Sequence, residues 1–429
     1  MPIGIIYSGE VSDCVLTPIS KRTAVRFFRG LTRPGSPNTL SPLSITMALT
    51  YLTAGESHGK GILALLDGFP AGLEIDTDKI DALLRLRQGG YGRGGRQKIE
   101  TDSVDVLTGV KVNRTLGSPV ALWVKNRDYK LPQMPELERP RPGHGDLSGS
   151  RKYLDGIRAI LERSSARETA AKVAAGALAE QLLEACAGIR VLAYVVRIGE
   201  AELTPDASLL SDFDAAIEKR NASPVYSLSS PKADKRACDL IDKTREAGDT
   251  VGGIIEIRAT GLPFGLGTHA QWTDKLDGRL AQAVMAVQAI KGVEIGLGFQ
   301  AGFVPGSQAH DAIGFDPELV ETNCLGFVRP TNRAGGLEAG MTNSQDIVVR
   351  AAMKPIPTML KPMASVNLTT RQPDEATYER SDVCAVPAAS IVLESVVAMT
   401  LATALTEKFG CDNVEEIRQR ITLFNKLAR

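Results

Sequence analysis

Residues 165–199, SARETAAKVAAGALAEQLLEACAGIRVLAYVVRIG, carry the clearest structural signal in the chain. Ser165 and Glu168 have the S-x-x-E spacing of a capping box, whose side chains hydrogen-bond the backbone at a helix N-terminus. The alanine-rich run after them predicts a long helix from Ser165 to near Gly188, a residue suited to the left-handed conformation that ends helices. The β-branched residues that follow predict a strand. A helix leading directly into a strand indicates a mixed fold.

Helices and strands alternate on both sides of this segment. Further strands are predicted for ILALL before Asp67, IIEIRAT at 254–260 and VEIGLGF at 293–299. Further helices are predicted for residues 78–88, for Asp274–Ile290, for one or two segments within 203–247, and for Ala388–Lys408 as the final helix. Because no proline-rich linker or fixed repeat interrupts this order, we predict an α+β fold: a single large domain whose sheets pack against helices.

The composition excludes several classes of protein. The chain has 429 residues, 43% of them hydrophobic, with 50 Lys+Arg balancing 50 Asp+Glu. This balance argues against nucleic-acid and anionic-membrane partners. Six cysteines without a C-x-x-C pair argue against a zinc site, so we expect no metal. Since no stretch approaches about 18 apolar residues and no secretion signal is present, we expect a cytoplasmic protein.

The first 46 residues differ from the rest. They contain recurrent arginines and five prolines and show little apolar periodicity. We therefore expect residues 1–46 to be a non-core N-terminal extension and residues 47–429 to form the catalytic domain. A misassigned start, a transit peptide and an accessory arm each explain the extension.

Gly55-Glu56-Ser57-His58-Gly59 permits two interpretations. It fits G-x-S-x-G, the nucleophile elbow of serine hydrolases, with Ser57 as the nucleophile. Alternatively, the glycines form a backbone loop that presents His58 for proton transfer. A nucleophile elbow needs a helix after the serine, whereas KGILALLDGFP predicts a strand and a turn. The sequence therefore favours His58.

A second glycine-rich stretch, GYGRGG at 90–95, matches G-x-G-x-x-G but follows a charged helix instead of a buried strand. The dinucleotide fingerprint thus lacks its structural context. Arg87 and Arg93 lie in or beside this loop, where they suit a phosphate or a carboxylate. A solvated basic loop explains the same residues equally well.

The remaining candidates also have simpler explanations. Arg163, Ser164 and Ser165 could bind an anion at a helix N-terminus, although capping alone explains Ser165. His144 lies in a tight glycine loop like that of His58, and two histidines in such loops raise the expectation of acid–base work, although a structural or solvated role remains the simpler explanation. His269 and His310 have no motif. Seen alone, Asp382 and Glu394 are surface or capping charges.

Taken together, several blocks resemble the chorismate synthase family. These blocks are GESHGKGILALLDGFPAGL, RQGGYGRGGRQKIETDSVDVLTGVKVNRTLGSPVAL, RPGHGDLSGSRKY, ERSSARETAAKVAAGA, QAIKGVEIGLGF, NRAGGLEAGMTNSQ, AAMKPIPT and RSDVCAVPAASIVLES. They occur in the family's order from about Met47 to the last predicted helix. The resemblance implies a lyase of the shikimate pathway that eliminates phosphate and a proton from 5-enolpyruvylshikimate 3-phosphate to give chorismate. It also implies reduced FMN as cofactor, with NADPH as a reductant of the flavin in some relatives.

The resemblance assigns roles residue by residue. His58 matches the histidine that assists phosphate departure, His144 the one that protonates reduced flavin, and Asp382 the carboxylate that helps remove the substrate proton. Ser57 and Ser165 match hydroxyls that orient these groups. Flavin contacts fall on Arg163, Ser164, Ser165, Gln288, Ala289, Ala339, Lys354, Pro355, Ile356, Pro357, Thr358 and Arg380, and NADP contacts on Arg87 and Arg93.

The same resemblance implies a β-α-β sandwich core and a homotetramer. One departure concerns the arginine loop, where many relatives have two adjacent arginines before the glutamine and this chain has Leu86-Arg87. A flavin-binding redox protein without lyase activity is the alternative, and it leaves His58 and the Arg87/Arg93 pair unexplained.

Overall fold

Helices and strands alternate along residues 48–94, 101–379 and 381–429, which the computed structural model describes. The predicted extension, residues 1–46, and Arg380 lie outside the described residues. The α-helices are α1 (Thr77–Gln88), α2 (Asp146–Tyr153), α3 (Ile157–Ser164), α4 (Thr169–Ala187), α5 (Phe213–Ala222), α6 (Pro231–Glu246), α7 (Leu276–Met285), α8 (Gly306–Ala309), α9 (Val386–Phe409) and α10 (Val414–Ala428). The strands are β1 (Thr50–Gly55), β2 (Gly61–Asp67), β3 (Val104–Thr108), β4 (Val110–Lys111), β5 (Arg114–Thr115), β6 (Val120–Lys125), β7 (Arg190–Ile198), β8 (Ala201–Glu202), β9 (Gly253–Thr260), β10 (Phe264–Gly267), β11 (Ile290–Ile295), β12 (Gly314–Phe315), β13 (Phe327–Val328), β14 (Leu337–Glu338), β15 (Met341–Asn343), β16 (Ile347–Met353), β17 (Ala364–Val366) and β18 (Pro373–Glu375).

Two antiparallel sheets pack against the two longest helices. One sheet has the strand order β1-β2-β6-β3, and the other has the order β11-β16-β9-β7-β8. Helix α4 contacts β2 and β6 of the first sheet, α9 contacts β7 and β9 of the second, and α4 packs along α9. Each sheet therefore buries one face against a helix, which is how an α+β domain builds its core. The predicted α+β class and single domain are confirmed.

The helix predicted from Ser165 begins later than expected. Ser165 has an extended backbone, and its hydroxyl accepts from Arg167 N–H at 3.3 Å to cap a 3-10 turn, Ala166–Glu168. Glu168 does not complete the capping box, because its carboxylate accepts hydrogen bonds from Thr53 and Gln288 instead. The regular α-helix thus starts at Thr169, while its predicted end at Gly188, with φ of 66°, is confirmed.

Two predictions about the helices were wrong. The helix predicted for Asp274–Ile290 ends at Met285, because Ile290 already pairs with Met353 in the second sheet. Helix α9 is not the final one, since α10 follows it. The Asn413 side chain caps α10, and the helix buries Val414, Ile417 and Ile421 as one apolar stripe.

Helix α9 is more apolar than the residue pattern predicts. An 18-residue stretch within its 24 residues has a mean hydropathy of 1.8, long and apolar enough to cross a membrane by length and composition alone. In that stretch 89% of the residues are buried, and the core helix of a soluble protein meets the same criterion. Glu394, expected at the surface, is buried within α9 and pairs with Arg220 at 2.9 Å.

The close crossing of α4 and α9 depends on Gly176. A Cβ there would lie 2.3 Å from the Ser395 Cβ and 2.6 Å from its carbonyl oxygen. We expect Gly176→Ala to lower the free energy of unfolding by about 1–3 kcal/mol, because the backbone of α9 must shift. Urea denaturation measures this loss. The matched control is Gly278→Ala in α7, where an added Cβ would have no described atom within 4 Å other than the backbone of its own helix, so about 0.5–1 kcal/mol should be gained. Equal stability of the two variants would contradict this interpretation of the crossing.

Candidate active site

The Gly55–Gly59 loop joins β1 to β2 and is braced from one side. The Asn126 side-chain amide donates to the carbonyls of Glu56, Ser57 and Gly59 at 3.0, 3.2 and 2.9 Å. Strand β2 follows the loop directly, and Ser57 is 1% exposed. The hydrolase alternative is therefore wrong, because the helix that would support a nucleophile elbow is absent here and the serine is enclosed.

His58 is held by Glu162 of α3. The imidazole Nδ1 lies 2.9 Å from Glu162 Oε1, and the backbone N–H of His58 donates to Oε2 at 2.7 Å. Burial alone would raise the pKa of Glu162, but the hydrogen bonds and charge of His58 and the charge of Arg158 outweigh burial and lower it. The carboxylate is thus ionised at neutral pH. It fixes Nδ1–H as a donor and leaves Nε2 as the nitrogen that can exchange a proton.

His144 has the same kind of partner. Its Nδ1 lies 2.5 Å from Oδ1 of Asp146, at the start of α2. Arg141 donates to both carboxylate oxygens, from Nε at 2.8 Å and from Nη2 at 3.0 Å. Burial would raise the pKa of Asp146, but the hydrogen bonds from His144 and Arg141 hold it well below its usual range. His144 can therefore also exchange a proton at Nε2, and the Arg141 Nη2 atom lies 3.2 Å from its Nδ1 and 3.5 Å from its Nε2.

The KPIPT segment packs against the His144 loop. Arg141 Nη1 donates to Thr358 Oγ1 at 3.0 Å, and Lys354 Nζ donates to the Gly143 carbonyl at 2.7 Å. Burial and the charge of Lys291 lower the pKa of Lys354. Between Lys354 and Thr358, the Ile356 carbonyl accepts a hydrogen bond from Thr250 Oγ1. This bond and the two prolines hold Pro355, Ile356 and Pro357 as a fixed loop.

Asp382 is paired with the glycine-rich loop. Its Oδ2 forms an ion pair with Arg93, and its Oδ1 accepts from the Gly94 N–H at 2.7 Å. Arg93 Nε is buried and has no hydrogen-bond partner among the described residues. One donor of this guanidinium is thus left for a further acceptor, while the carboxylate that the resemblance assigns to proton removal is held by a cation.

Arg87 differs from Arg93 because it is part of the protein interior. It is 4% exposed, and its guanidinium donates to Thr169 Oγ1, Asp102 Oδ2 and the Ala166 carbonyl. Burial lowers its pKa to about 10 in spite of the charge of Asp102. Asp102 also pairs with Arg167 at 2.6 Å, so two arginines share one buried carboxylate. The predicted ligand role of Arg87 stays a prediction.

Two of the residues predicted to contact the flavin have a polar atom without a hydrogen-bond partner among the described residues. Within the described ranges, Ser164 Oγ and Gln288 Oε1 are buried without a hydrogen-bond partner. The Gln288 amide nitrogen donates to Glu168 at 3.0 Å, which fixes the orientation of its free oxygen. Arg163 instead donates to the Thr53 and Gly55 carbonyls at the end of β1. Buried polar atoms without partners are costly, so these two suit hydrogen bonds to a ligand.

Ala289 and Ala339 are unusual for a different reason. Their φ angles are 68° and 50°, in the left-handed region that alanine seldom adopts. Ala289 lies beside Gln288, and its carbonyl accepts from the Lys354 N–H at 2.9 Å. Backbone strain of this kind gathers at ligand sites, which agrees with the resemblance.

The predicted segments converge on the end of α3. The Ser57 hydroxyl lies 3.0 Å from that of Ser165, and a Cβ built on Gly145 would lie 3.9 Å from Ser164 Cβ. At the other end of α3, Arg158 donates to Glu379, close in sequence to Asp382. The His58, His144 and KPIPT segments are thus brought together around residues 162–165. In the part of the chain that the structure describes, no group of three or more His, Cys, Asp or Glu side chains is arranged to hold a metal ion.

Comparison with known proteins agrees with this arrangement. A family model described as chorismate synthase matches residues 49–406. The chain belongs to the chorismate synthase family. It is 50% identical over 385 residues to the chorismate synthase of Geobacter metallireducens, covering 86% of this chain and 97% of that one. The corresponding enzyme of Trichlorobacter lovleyi is 51% identical over 385 residues, with coverage of 86% and 97%.

A solved structure shares the fold. A crystal structure of chorismate synthase superposes with a TM-score of 0.72 at 40% identity, covering 89% of this chain and 98% of that one. The recognition of the family from its motifs is thus confirmed, and the chain is an enzyme of the lyase class.

Cavity size alone does not locate the chorismate synthase site. A cavity of about 1200 Å³ lies against α6 and β8, lined among others by Glu202, Ser230 and Arg236. A second, of about 300 Å³, is lined among others by Arg258 and Arg350. The predicted site residues that the structure describes do not line either cavity. The candidate site therefore rests on the chemistry of its side chains and not on cavity volume.

Sequence reasoning missed the carboxylates that hold the two histidines. Glu162 immediately precedes Arg163 and was read only as part of a family motif. Asp146 lies two residues after His144 and was not assigned a role. A spacing of two residues at a helix start is a local signal that could have identified Asp146. Glu162 is 104 residues from His58 and has no such signal.

Proposed function

We propose that the chain converts 5-enolpyruvylshikimate 3-phosphate to chorismate by a 1,4-elimination of phosphate and a proton, with reduced FMN as cofactor. The observation that carries this proposal is the pair of histidines whose Nδ1 atoms each lie beside a buried carboxylate, so that Nε2 is the nitrogen that can exchange a proton; the Arg141 guanidinium also borders the His144 ring. An elimination that expels phosphate needs a proton donor at the leaving group and an acceptor for the substrate proton. Loop histidines presented in this way supply the donor chemistry.

The fit of FMN rests on polar atoms that the protein leaves without partners. Ser164 Oγ and Gln288 Oε1 would bind donors or acceptors of the cofactor, with Ala289, Ala339, Arg163, Ser165, Arg380 and the Lys354–Thr358 segment as its other contacts. Lys354 and Thr358 lie next to the His144 loop. When bound, reduced FMN would supply an electron that the substrate returns after the allylic C–O bond has broken, so that no net oxidation would occur.

Each catalytic residue has a role that its surroundings support. His58 would hold a proton at Nε2 for the departing phosphate, and the ionised Glu162 stabilises the positive charge that this requires. His144, backed by Asp146, would hold the proton for the reduced cofactor. Asp382 would take part in removing the substrate proton once an anionic substrate competes for Arg93, whose Nε has no partner among the described groups.

NADPH is proposed as the reductant of the flavin, through Arg87 and Arg93. Arg93 supports this role better than Arg87, because the Arg87 guanidinium already binds three protein groups. Reduction by the chain itself and reduction by an external enzyme both agree with this arrangement.

We also propose the wider organisation that the resemblance implies. The packing of α4 and α9 against two sheets supports a β-α-β sandwich core. Large exposed apolar side chains, among them Trp272, Phe299 and Phe303, support subunit contacts in a homotetramer. A net charge of +0 supports a cytoplasmic enzyme without nucleic-acid or membrane partners. The family match over residues 49–406 supports a catalytic domain at 47–429.

The test is an anaerobic assay with the phosphorylated substrate and photoreduced FMN, with and without NADPH. We expect chorismate to form only when FMN is reduced, with no net oxidation of flavin per turnover, because the elimination changes no overall oxidation state. Oxidised FMN is the control. NADPH or flavin oxidation in proportion to product would contradict the proposal and favour a flavin-binding redox protein.

A further inference from the structure

We propose that Glu162 is the positioning residue that selects the reactive tautomer of His58. This inference rests on the proposed role of His58 as the proton donor to the departing phosphate. The two oxygens of the Glu162 carboxylate accept two different donors of one residue, the ring Nδ1–H at 2.9 Å and the backbone N–H at 2.7 Å. The Glu162 backbone carbonyl also accepts from the Ser57 N–H at 2.9 Å.

The two hydrogen bonds from His58 to Glu162 fix both the orientation of the imidazole ring and the position of its hydrogen. A carboxylate can only accept, so the Nδ1 facing it must carry hydrogen. The neutral ring then has its lone pair on Nε2, and the protonated ring has its mobile proton there. Glu162 is 3% exposed, and its lowered pKa keeps the negative charge at neutral pH. The charge therefore favours the imidazolium that the proposed reaction consumes.

The loop also has hydrogen bonds that do not involve the Glu162 side chain. Asn126 binds three carbonyls of residues 56–59, and the His58 carbonyl accepts from the backbone N–H groups of Lys130 and Leu131. Removing the carboxylate charge should therefore leave the backbone in place while releasing the ring. This separation makes a role in positioning distinguishable from a role in folding.

Glu162→Gln is the informative substitution because it preserves shape. The Glu162 carboxylate accepts from two donors of His58, the backbone N–H and the ring Nδ1–H, with one oxygen for each. Glutamine has only one oxygen and places an NH₂ group at the other position, so one of these donors must lose its acceptor. If the NH₂ faces the ring, Nδ1 must become an acceptor, which moves the ring hydrogen to Nε2 and disfavours the imidazolium. We expect kcat to fall about 10- to 100-fold, the range typical for removing the hydrogen-bond partner that orients a functional histidine. The KM for substrate and the Kd for FMN should stay within about threefold.

The tautomer is read directly by ¹⁵N NMR of the imidazole rings in the full chain. Only four histidines contribute signals, and His58→Asn assigns the one of interest. In the wild-type protein we expect His58 with hydrogen on Nδ1, and in Glu162→Gln a shift toward hydrogen on Nε2. This measurement needs no turnover, so it stands even if the proposed reaction is not observed.

The control variant is Glu136→Gln. Glu136 accepts from the Arg158 N–H at 2.8 Å at the opposite end of α3, away from the ring. The Glu136→Gln variant should leave both kcat and the ¹⁵N signal of His58 unchanged. The proposal is overturned if Glu162→Gln keeps kcat within twofold, or if its kcat falls without a change in tautomer. If Glu162→Gln does not fold, a neutral wild-type His58 ring with hydrogen on Nε2 and none on Nδ1 would overturn the proposal equally.

Discussion

His58→Ala is expected to lower kcat by about 10²-fold or more while the enzyme remains folded and still binds FMN. The alanine variant has no group that can deliver a proton to the departing phosphate, and the loss of a general acid typically costs this much. Chorismate formation under reducing anaerobic conditions measures kcat, and flavin titration measures cofactor affinity. His144→Ala is expected to have an effect of similar size, because the two rings are held alike but serve different proton transfers.

Two comparisons separate chemistry from packing in this experiment. His58→Asn retains an amide that can donate to Glu162 in place of Nδ1–H but has nothing at the position of Nε2, so it should lose as much activity as alanine. His269→Ala and His310→Ala remove exposed histidines and should change little. Full activity of His58→Asn would show that the ring nitrogen Nε2 is dispensable and that His58 acts only through Glu162.

Asp102→Asn should give the largest loss of stability, about 3–5 kcal/mol in the free energy of unfolding. Its carboxylate has a fully buried side chain and pairs with both Arg87 at 3.1 Å and Arg167 at 2.6 Å. Removing the one negative charge leaves two buried guanidinium groups without a counter-ion, and breaking a buried ion pair from one side typically costs this much. Urea denaturation followed by circular dichroism measures the change.

The matched control is Asp105→Asn, an exposed position on β3, three residues away. Its effect should be within about 0.5 kcal/mol, as for most surface substitutions. Because Arg87 also holds Ala166 and Thr169, the Asp102 variant should weaken FMN binding as well. A small stability loss with normal flavin affinity would mean that Thr169, Asn126 and the backbone carbonyls alone satisfy the two arginines.

The sequence predicted which elements exist better than where they end. The helix ending at Gly188 and the strand Arg190–Ile198 follow from local residues, and both are present. The start of α4 does not follow, because Glu168 leaves its capping partner for Thr53 and Gln288, which are distant in sequence. Tertiary contacts overrode a local motif at this position.

The candidate site likewise combines residues that local motifs indicate with partners that are distant in sequence. The histidines were found because glycine-rich loops mark them in the sequence, and the family motifs placed the flavin residues. The partners of these residues could not be found, because Glu162 meets His58 and Asp382 meets Arg93 only after folding. Arg87 and Arg93 look equivalent in the sequence, yet one is enclosed by protein groups and the other has a donor left unused.

The packing of α4 against α9 also determines when the core can form during synthesis. Helix α4 ends at Ala187, but α9 begins only at Val386, near the end of the chain. The apolar residues of α4 that pack against α9 therefore have no α9 partner until nearly all of the protein has been synthesised. Contacts so distant in sequence form slowly, and the exposed surface can bind other chains meanwhile. Chaperone demand during translation should thus be higher for this enzyme than for a protein whose core forms from neighbouring segments.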